Sequence, residues 1–401
     1  MKPLKNKNQQ KFQFKYMSPH IKSPKQVEYS ITRSLSYTTT PLKEIIANYS
    51  EISQSNLCKK SFRFEWKKEP KNVLIIKKWK DEKTTKMAIE LINYLKKLHL
   101  IVYIEPSTSN ELKEGIPFTE TQKSNLNELI DLLIIIGGDG TVLHACTLFP
   151  QQELPLLLAF HYGTLAFFSV FDFKEYPKQI KTVLKGNFEV TVRARLLGQV
   201  YSEEKKLKTE YECLNEFVIS RDGPWLSRLD CYCDDTFFTT IQADGIIISA
   251  PSGSTAYSKS AGGPMVCPNV PGILFTPICA HSLSNRPLVF PDCAVITIHI
   301  PNTSRSESAI ISVDAKKQGK LLRGDYIVIT THKFSLPCVN KINTNTDWVT
   351  GISAILHWNN LISQPDLQFR SFDHFENIEN SSDLDSDDHL GSDDGRNEDL
   401  D

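Results

Sequence analysis

The chain has 401 residues, of which 40% are hydrophobic and 23% charged, and its net charge is −1. That composition excludes a collagen-like or wholly disordered chain and leaves length for two domains. The neutral balance hides unequal ends: residues 1–27 hold seven lysines and no acid, whereas from Asp373 onward twelve Asp or Glu stand against Arg396.

Residues 1–65 are polar and basic, with no sustained apolar period, and are expected to form a disordered extension. The absence of acids would also suit a mitochondrial targeting segment, although such segments favour arginine. An α/β domain is expected over 66–187. Val73–Ile76 reads as a strand. Glu82 to Leu98 sets Met87, Leu91, Tyr94, Leu95 and Leu98 at helical spacing, a stripe that belongs to a core. Leu100–Ile104 is a second strand, and 106–127 is loop-rich. Leu132–Ile136 is a short apolar run bounded by glycines, the mark of a buried parallel strand. Gly137-Gly-Asp-Gly-Thr141 follows, and Val142–Phe149 opens a helix. Leu154–Phe160 is a further buried strand. Strand, helix, strand, loop and strand in this order imply a parallel sheet with covering helices.

From 188 to 335 short β runs recur between turns, beginning with Glu189–Val192, and an all-β, sandwich-like domain is expected. Asp347 to Trp358 recovers a helical stripe, so 336–365 is expected to pack back on the α/β domain. Residues 366–401 form an acidic tail. Nine cysteines are scattered without a Cys-x-x-Cys, and Cys231 and Cys233 would face opposite ways on a strand. Neither a disulfide framework nor a zinc site is expected, and no residue is assigned to a metal. No apolar run approaches the roughly 20 residues of a membrane span, and no basic face interleaved with aromatics appears in the folded part. Neither membrane nor nucleic acid is an expected partner.

Three stretches carry chemistry. The first is the strand, glycine turn and helix around Asp139, where an open α/β sheet meets phosphates at unpaired N–H groups and the positive end of a helix. The second is Asp244-Gly245 running through a buried strand into Gly253-Ser-Thr-Ala-Tyr-Ser258, a loop of small residues and hydroxyls against which a ligand can lie. The third is Asn215-Glu216 at the start of a strand. Each stretch alone also fits an ordinary turn.

Together, and in this order, the three resemble the NAD kinase family, over about Lys71 to Asn359 and nearest the eukaryotic cytosolic type. Pro277-Ile-Cys279, His281 to Pro287 and Asp347-Trp348 look like further family features. The resemblance implies transfer of the γ-phosphate of ATP, with Mg²⁺ or another divalent cation, to the 2′-hydroxyl of the adenosine ribose of NAD or NADH. It implies that Gly137, Gly138 and Gly140, with Thr141, present N–H groups to phosphates and that Asp139 takes the hydroxyl proton. His144, Asn215, Glu216 and Asp244 would contact the dinucleotide. Thr255, Ala256, Tyr257, Ser258 and Ser260 would line its pocket, and Arg228 would reach a phosphate. A homo-oligomer, dimer or tetramer, in the cytoplasm is implied as well, with mitochondria the alternative if the basic segment is a targeting signal.

The chain departs from the family pattern at Ala166 and Ala280, at Ser252, and at Asp314-Ala315-Lys316, where Asp-Gly and a polar residue are usual. Two alternatives follow. One is a lipid kinase of the diacylglycerol or sphingosine type, which shares the glycine turn. The other is a dinucleotide-binding regulator whose substituted site has lost turnover.

Overall fold

The computed structural model describes residues 35–37, 62–66, 68–163, 165–282 and 284–357. The acidic tail, most of the basic extension and residues from Trp358 onward lie outside them. In chain order the first sheet contains Leu35–Tyr37 (β1), Phe62–Trp66 (β2), Asn72–Lys77 (β3), Ile101–Ile104 (β4), Ile116–Pro117 (β5), Leu132–Ile136 (β6), Leu156–His161 (β7), Phe171–Asp172 (β8) and Phe188–Arg193 (β9). Twelve strands then form two further sheets: Leu196–Tyr201 (β10), Leu207–Cys213 (β11), Glu216–Arg221 (β12), Ser227–Cys233 (β13), Thr236–Ala243 (β14), Gly245–Ser249 (β15), Ile273–Ile278 (β16), Leu288–Phe290 (β17), Ile296–His299 (β18), Ser308–Val313 (β19), Lys316–Leu322 (β20) and Tyr326–Thr331 (β21). Leu336–Val339 (β22) returns to the first sheet.

The architecture is an α/β domain with a parallel sheet joined to an all-β domain. In the first sheet β5-β4-β3-β6-β7 are parallel, as is β22 beside β7. Alternation along the central strands sends residues to opposite faces. Val73, Ile75, Leu132, Ile134 and Ile136 meet helices Glu82–Lys97 (α1) and Tyr176–Lys185 (α3) on one side. Leu74, Ile76, Leu133 and Ile135 meet Asp139–Cys146 (α2) on the other. With both faces covered, these strands read as continuous apolar runs. The all-β domain is a sandwich of two six-stranded antiparallel sheets, β11-β10-β21-β18-β13-β14 and β17-β16-β15-β12-β19-β20. Leu196, Cys231 and Ile327 from one sheet interdigitate with Phe217, Ile246 and Phe275 from the other.

Three expectations shift. Glu189–Val192 does not open the β domain: β9 pairs antiparallel with β22 and with β2, so it extends the first sheet. That sheet begins with β1 at Leu35, and β2 at Phe62 also starts inside the expected extension. Finally, α2 starts at Asp139 rather than Val142, with Gly138 as its N-cap, so the aspartate occupies the first helical turn. The short C-terminal helix Thr344–Ile355 (α4) is capped by Asn343, which accepts the N–H of Thr346 at 2.9 Å.

The β19–β20 hairpin turns on Asp314 and Ala315, with φ of 46° and 64°. Positive φ at both turn residues is the signature of a type I′ turn, which favours Asn, Asp or Gly. Alanine pays for this region through its Cβ, at about 1–2 kcal/mol. Ala315→Gly is therefore expected to raise the unfolding free energy by about 1 kcal/mol after allowing for the freer unfolded chain, read from denaturant curves. A decrease would mean that the turn stores no such strain.

Candidate active site

The main cavity, about 970 Å³, opens at the carboxyl ends of four parallel strands. Lys77, Lys78 and Trp79 follow β3, Glu105 and Ser107 follow β4, the glycine turn follows β6, and His161 and Tyr162 end β7. The chain leaves β3 toward β4 and leaves β6 toward β7, on opposite sides, so the cavity sits at the point where the strand order switches. Lys316, at the head of β20, lines it from the sandwich.

The glycines divide by role. A Cβ on Gly138 or Gly140 would meet nothing within 4 Å, so both present open backbone to the cavity at the positive end of α2. Gly137 differs. Its N–H donates to the Phe160 carbonyl at 3.0 Å and is not available to a phosphate, contrary to expectation. A Cβ there would lie 2.3 Å from the Thr141 hydroxyl, so its smallness serves packing.

Most cavity charges are already engaged. The buried Lys77 ammonium pairs with Glu111 at 2.6 Å. Lys78 donates to the Tyr162 hydroxyl at 3.3 Å and lies 3.7 Å from Asp81. His144 Nε2 meets the Glu105 carboxylate at 3.0 Å. This contact holds Glu105 below the usual carboxylate range, the His144 hydrogen bond being the largest cause.

Asp139 is turned toward the 165–168 segment. Its two oxygens accept the N–H groups of Phe167 at 3.2 Å and Phe168 at 2.9 Å. Burial pushes its carboxyl above the usual range, opposed by those two N–H groups and by the Arg193 charge. Arg193 also donates to the Phe167 carbonyl at 3.0 Å and to the Ser252 hydroxyl at 3.4 Å. Asp139, the 167–168 backbone, Arg193 and the turn beginning at Pro251 are thus joined by hydrogen bonds across the two domains. Arg193 and Ala166 line a second cavity, about 240 Å³, that shares His161 with the first.

Asn215 and Glu216 are buried at the start of β12. Asp314 fixes their backbone, its carboxylate accepting the N–H groups of Leu214, Asn215 and Glu216 at 2.9, 2.8 and 3.2 Å. Asn215 Oδ1 and Glu216 Oε2 are buried without a hydrogen-bond partner among the described residues, which sets them apart from ordinary buried polar atoms. Burial first, and the Asp314 charge second, push the Glu216 carboxyl up to about 8. Gly253 must be glycine here, because a Cβ would sit 2.4 Å from the Asn215 carbonyl and 3.0 Å from Glu216 Oε2.

The remaining expected residues are less convergent. Asp244 is half-exposed and ion-paired with Arg221 at 2.9 Å. The 251–260 stretch is a 3₁₀ turn followed by one turn of α-helix, not an open loop, and Pro251 to Ser254 are buried. Ser258 spends its hydroxyl on Thr276 at 2.8 Å, and Thr255 donates to the Ser252 carbonyl at 3.2 Å. Ala256 is half-buried, while Tyr257 and Ser260 are exposed. Arg228 is exposed on β13, opposite Gln242, and no contact ties it to the glycine turn. Ala166 is not among the described residues with positive φ, so alanine there carries no left-handed strain. Arg193, Glu105 and the clamping role of Asp314 had no motif in the sequence to announce them.

The comparisons fit this geometry. Residues 73–188 match the model of the ATP-NAD kinase N-terminal domain, and 214–341 that of the C-terminal domain. The chain is 35% identical over 351 residues to the mitochondrial NADH kinase of Schizosaccharomyces pombe, covering 86% of this chain and 88% of that one. The chain belongs to the NAD kinase family. It is also 37% identical over 312 residues to the chloroplastic NAD kinase 2 of Arabidopsis thaliana, covering 75% of this chain but only 32% of that relative's length. Among structures, yeast NADH kinase complexed with NADH superposes with a TM-score of 0.70 at 33% identity, covering 79% of this chain and 94% of the other. An Archaeoglobus fulgidus NAD kinase in complex with ATP, at 20% identity and a TM-score of 0.53 over 71% and 98% of the two chains, shares the fold. Nothing in these matches favours the lipid-kinase alternative.

The raised carboxyl of Glu216 makes stability pH-dependent. A group whose folded pKa, about 8, exceeds its unfolded value of 4.5 stabilises the fold fully at low pH. That contribution is lost as pH rises through the window between them. Glu216→Gln is expected to flatten the stability profile from about pH 5 to 8 relative to the parent, followed by thermal unfolding in matched buffers. An unchanged slope would mean that Glu216 is ionised in the folded protein.

Proposed function

We propose that the chain is an ATP-dependent NAD kinase, moving the γ-phosphate of ATP to the 2′-hydroxyl of the adenosine ribose of NAD or NADH. One observation carries the reading: the open faces of Gly138 and Gly140, at the head of α2, lie in a cavity walled by lysines, with the Asp139 carboxylate in the same helical turn. Phosphoryl transfer asks mainly for positioning and charge neutralisation, and this arrangement offers both. A carboxylate has about four lone-pair sites, so the two N–H contacts orient Asp139 and leave capacity to accept the hydroxyl proton. Asn215 Oδ1 and Glu216 Oε2, both without donors, are suited to the hydroxyl or amino groups of the dinucleotide. The NADH kinase names of the yeast relatives, and the yeast NADH kinase structure complexed with NADH, support NADH beside NAD as acceptor.

Among the described residues no group of three or more Asp, Glu, His or Cys is placed to hold a metal. Such a donor-poor wall fits Mg²⁺, which takes one or two carboxylates and fills its shell with water and substrate phosphate. Glu105 is the carboxylate lining the cavity. When bound, the ion would neutralise phosphate charge.

A homo-oligomer belongs to the same reading, supported by exposed Leu288 and Val289 on the edge strand β17. The mitochondrial names of two yeast relatives support the mitochondrial alternative over a cytoplasmic placement. No described helix is long and apolar enough to cross a membrane.

Asp139→Asn tests the assignment. It is expected to lower turnover by about a hundredfold or more, as for loss of a general base, while NAD affinity measured by calorimetry stays within about threefold. Because asparagine keeps one acceptor oxygen, the protein should remain folded, with a loss of about 1–3 kcal/mol from the N–H left unpaired. Near-parental turnover would remove Asp139 from the chemistry.

A further inference from the structure

We propose that Lys316 is a phosphate-binding residue that grips the polyphosphate end of ATP from the sandwich side of the main cavity. The inference rests on the kinase reading and adds to it a residue outside the three motifs. Lys316 belongs to the Asp314-Ala315-Lys316 segment, where the chain departs from the family pattern of Asp-Gly and a polar residue.

The charge inventory of the cavity singles it out. Three lysines line the wall. Lys77 is neutralised by Glu111 at 2.6 Å and also donates to the Lys78 carbonyl at 3.3 Å. Lys78 is shared between the Tyr162 hydroxyl and Asp81. The one carboxylate on the wall, Glu105, is held by His144. Lys316 is the only lining lysine without an ion pair or side-chain hydrogen bond to another described residue. Its ammonium therefore adds positive charge to the same cavity that Gly138, Gly140 and the head of α2 line. A cation and a set of backbone N–H groups lining one cavity are complementary to a polyphosphate.

The backbone position of Lys316 is also fixed, although the residue is exposed. It pairs with Val313 at the end of the β19–β20 hairpin, two residues beyond Asp314. Asp314 anchors that turn through three N–H groups of residues 214–216. One tight turn thus holds Asn215-Glu216 with its first residue and delivers a cation to the phosphate cavity just after its second. A lysine there acts as a point charge, so arginine should substitute for it, and salt should weaken its effect.

The test uses the full chain with Lys316→Gln and Lys316→Arg. Calorimetry would follow binding of inorganic tripolyphosphate and of ATP without acceptor, and steady-state kinetics would give KM for ATP and for NAD separately. For Lys316→Gln, affinity for tripolyphosphate and for ATP is expected to fall about five- to tenfold, as for loss of one charge-assisted contact. The KM for NAD should stay within about twofold, Lys316→Arg should restore most of the loss, and the difference should shrink in about 0.5 M salt. Unchanged tripolyphosphate affinity would overturn the proposal. So would a loss confined to NAD, which would put Lys316 on the phosphates of the dinucleotide. The binding arm needs no turnover, so a chain that made no NADP would sink the kinase reading while leaving Lys316 separately tested.

Discussion

The site depends on one buried carboxylate that satisfies two backbone N–H groups of a distant segment. Asp139 sits in the first turn of α2, where the helix end favours negative charge, and accepts from Phe167 and Phe168. Burying a carboxylate is costly, and the N–H groups and Arg193 offset that cost without removing it, so its carboxyl stays above the ordinary range. Through Arg193 the same cluster reaches Ser252 and the sandwich. Removal of Asp139 would therefore loosen the 167–168 backbone, which lines the smaller cavity.

A second carboxylate does comparable work in the sandwich. Asp314 is nearly as deeply placed, with burial raising its carboxyl and three N–H groups and Arg195 opposing. It holds the peptide of Asn215-Glu216 so that both side chains keep an unsatisfied oxygen. Burial first, and the Asp314 charge second, raise the Glu216 carboxyl to about 8. Unpaired acceptors and a carboxyl raised toward neutrality are the features that set this segment apart from an ordinary strand start. The alanine at the turn beside Asp314 adds backbone strain at the same place.

Much of this was legible in the sequence because periodicity reports burial. The continuous apolar run Leu132–Ile136 implied a strand covered on both faces, and α1 and α2 supply the cover. The glycine turn, Asp139 and the Asn215-Glu216 pair were visible as motifs. What escaped depended on pairing between distant segments. Phe188–Arg193 looks like any β run, and only its partners β2 and β22 assign it to the first sheet. Gly137 looks like its neighbours until the Phe160 carbonyl claims its N–H. Arg193 and Asp314 act through backbone groups 26 and 98–100 residues away, and no local pattern encodes such contacts. Ser258 was read as a ligand contact, yet its hydroxyl is bonded to Thr276.

A kinase of this kind directs the phosphate to one hydroxyl, so the position of the phosphate in the product is the quantity to measure. The purified chain would be incubated with ATP, Mg²⁺ and either NAD or its 2′-deoxyadenosine analogue, and the products resolved by phosphorus NMR. A 2′-phosphomonoester is expected from NAD and none from the analogue, although the analogue still binds. A phosphate elsewhere on the dinucleotide, or no product from NAD or NADH despite binding of both substrates, would contradict that expectation.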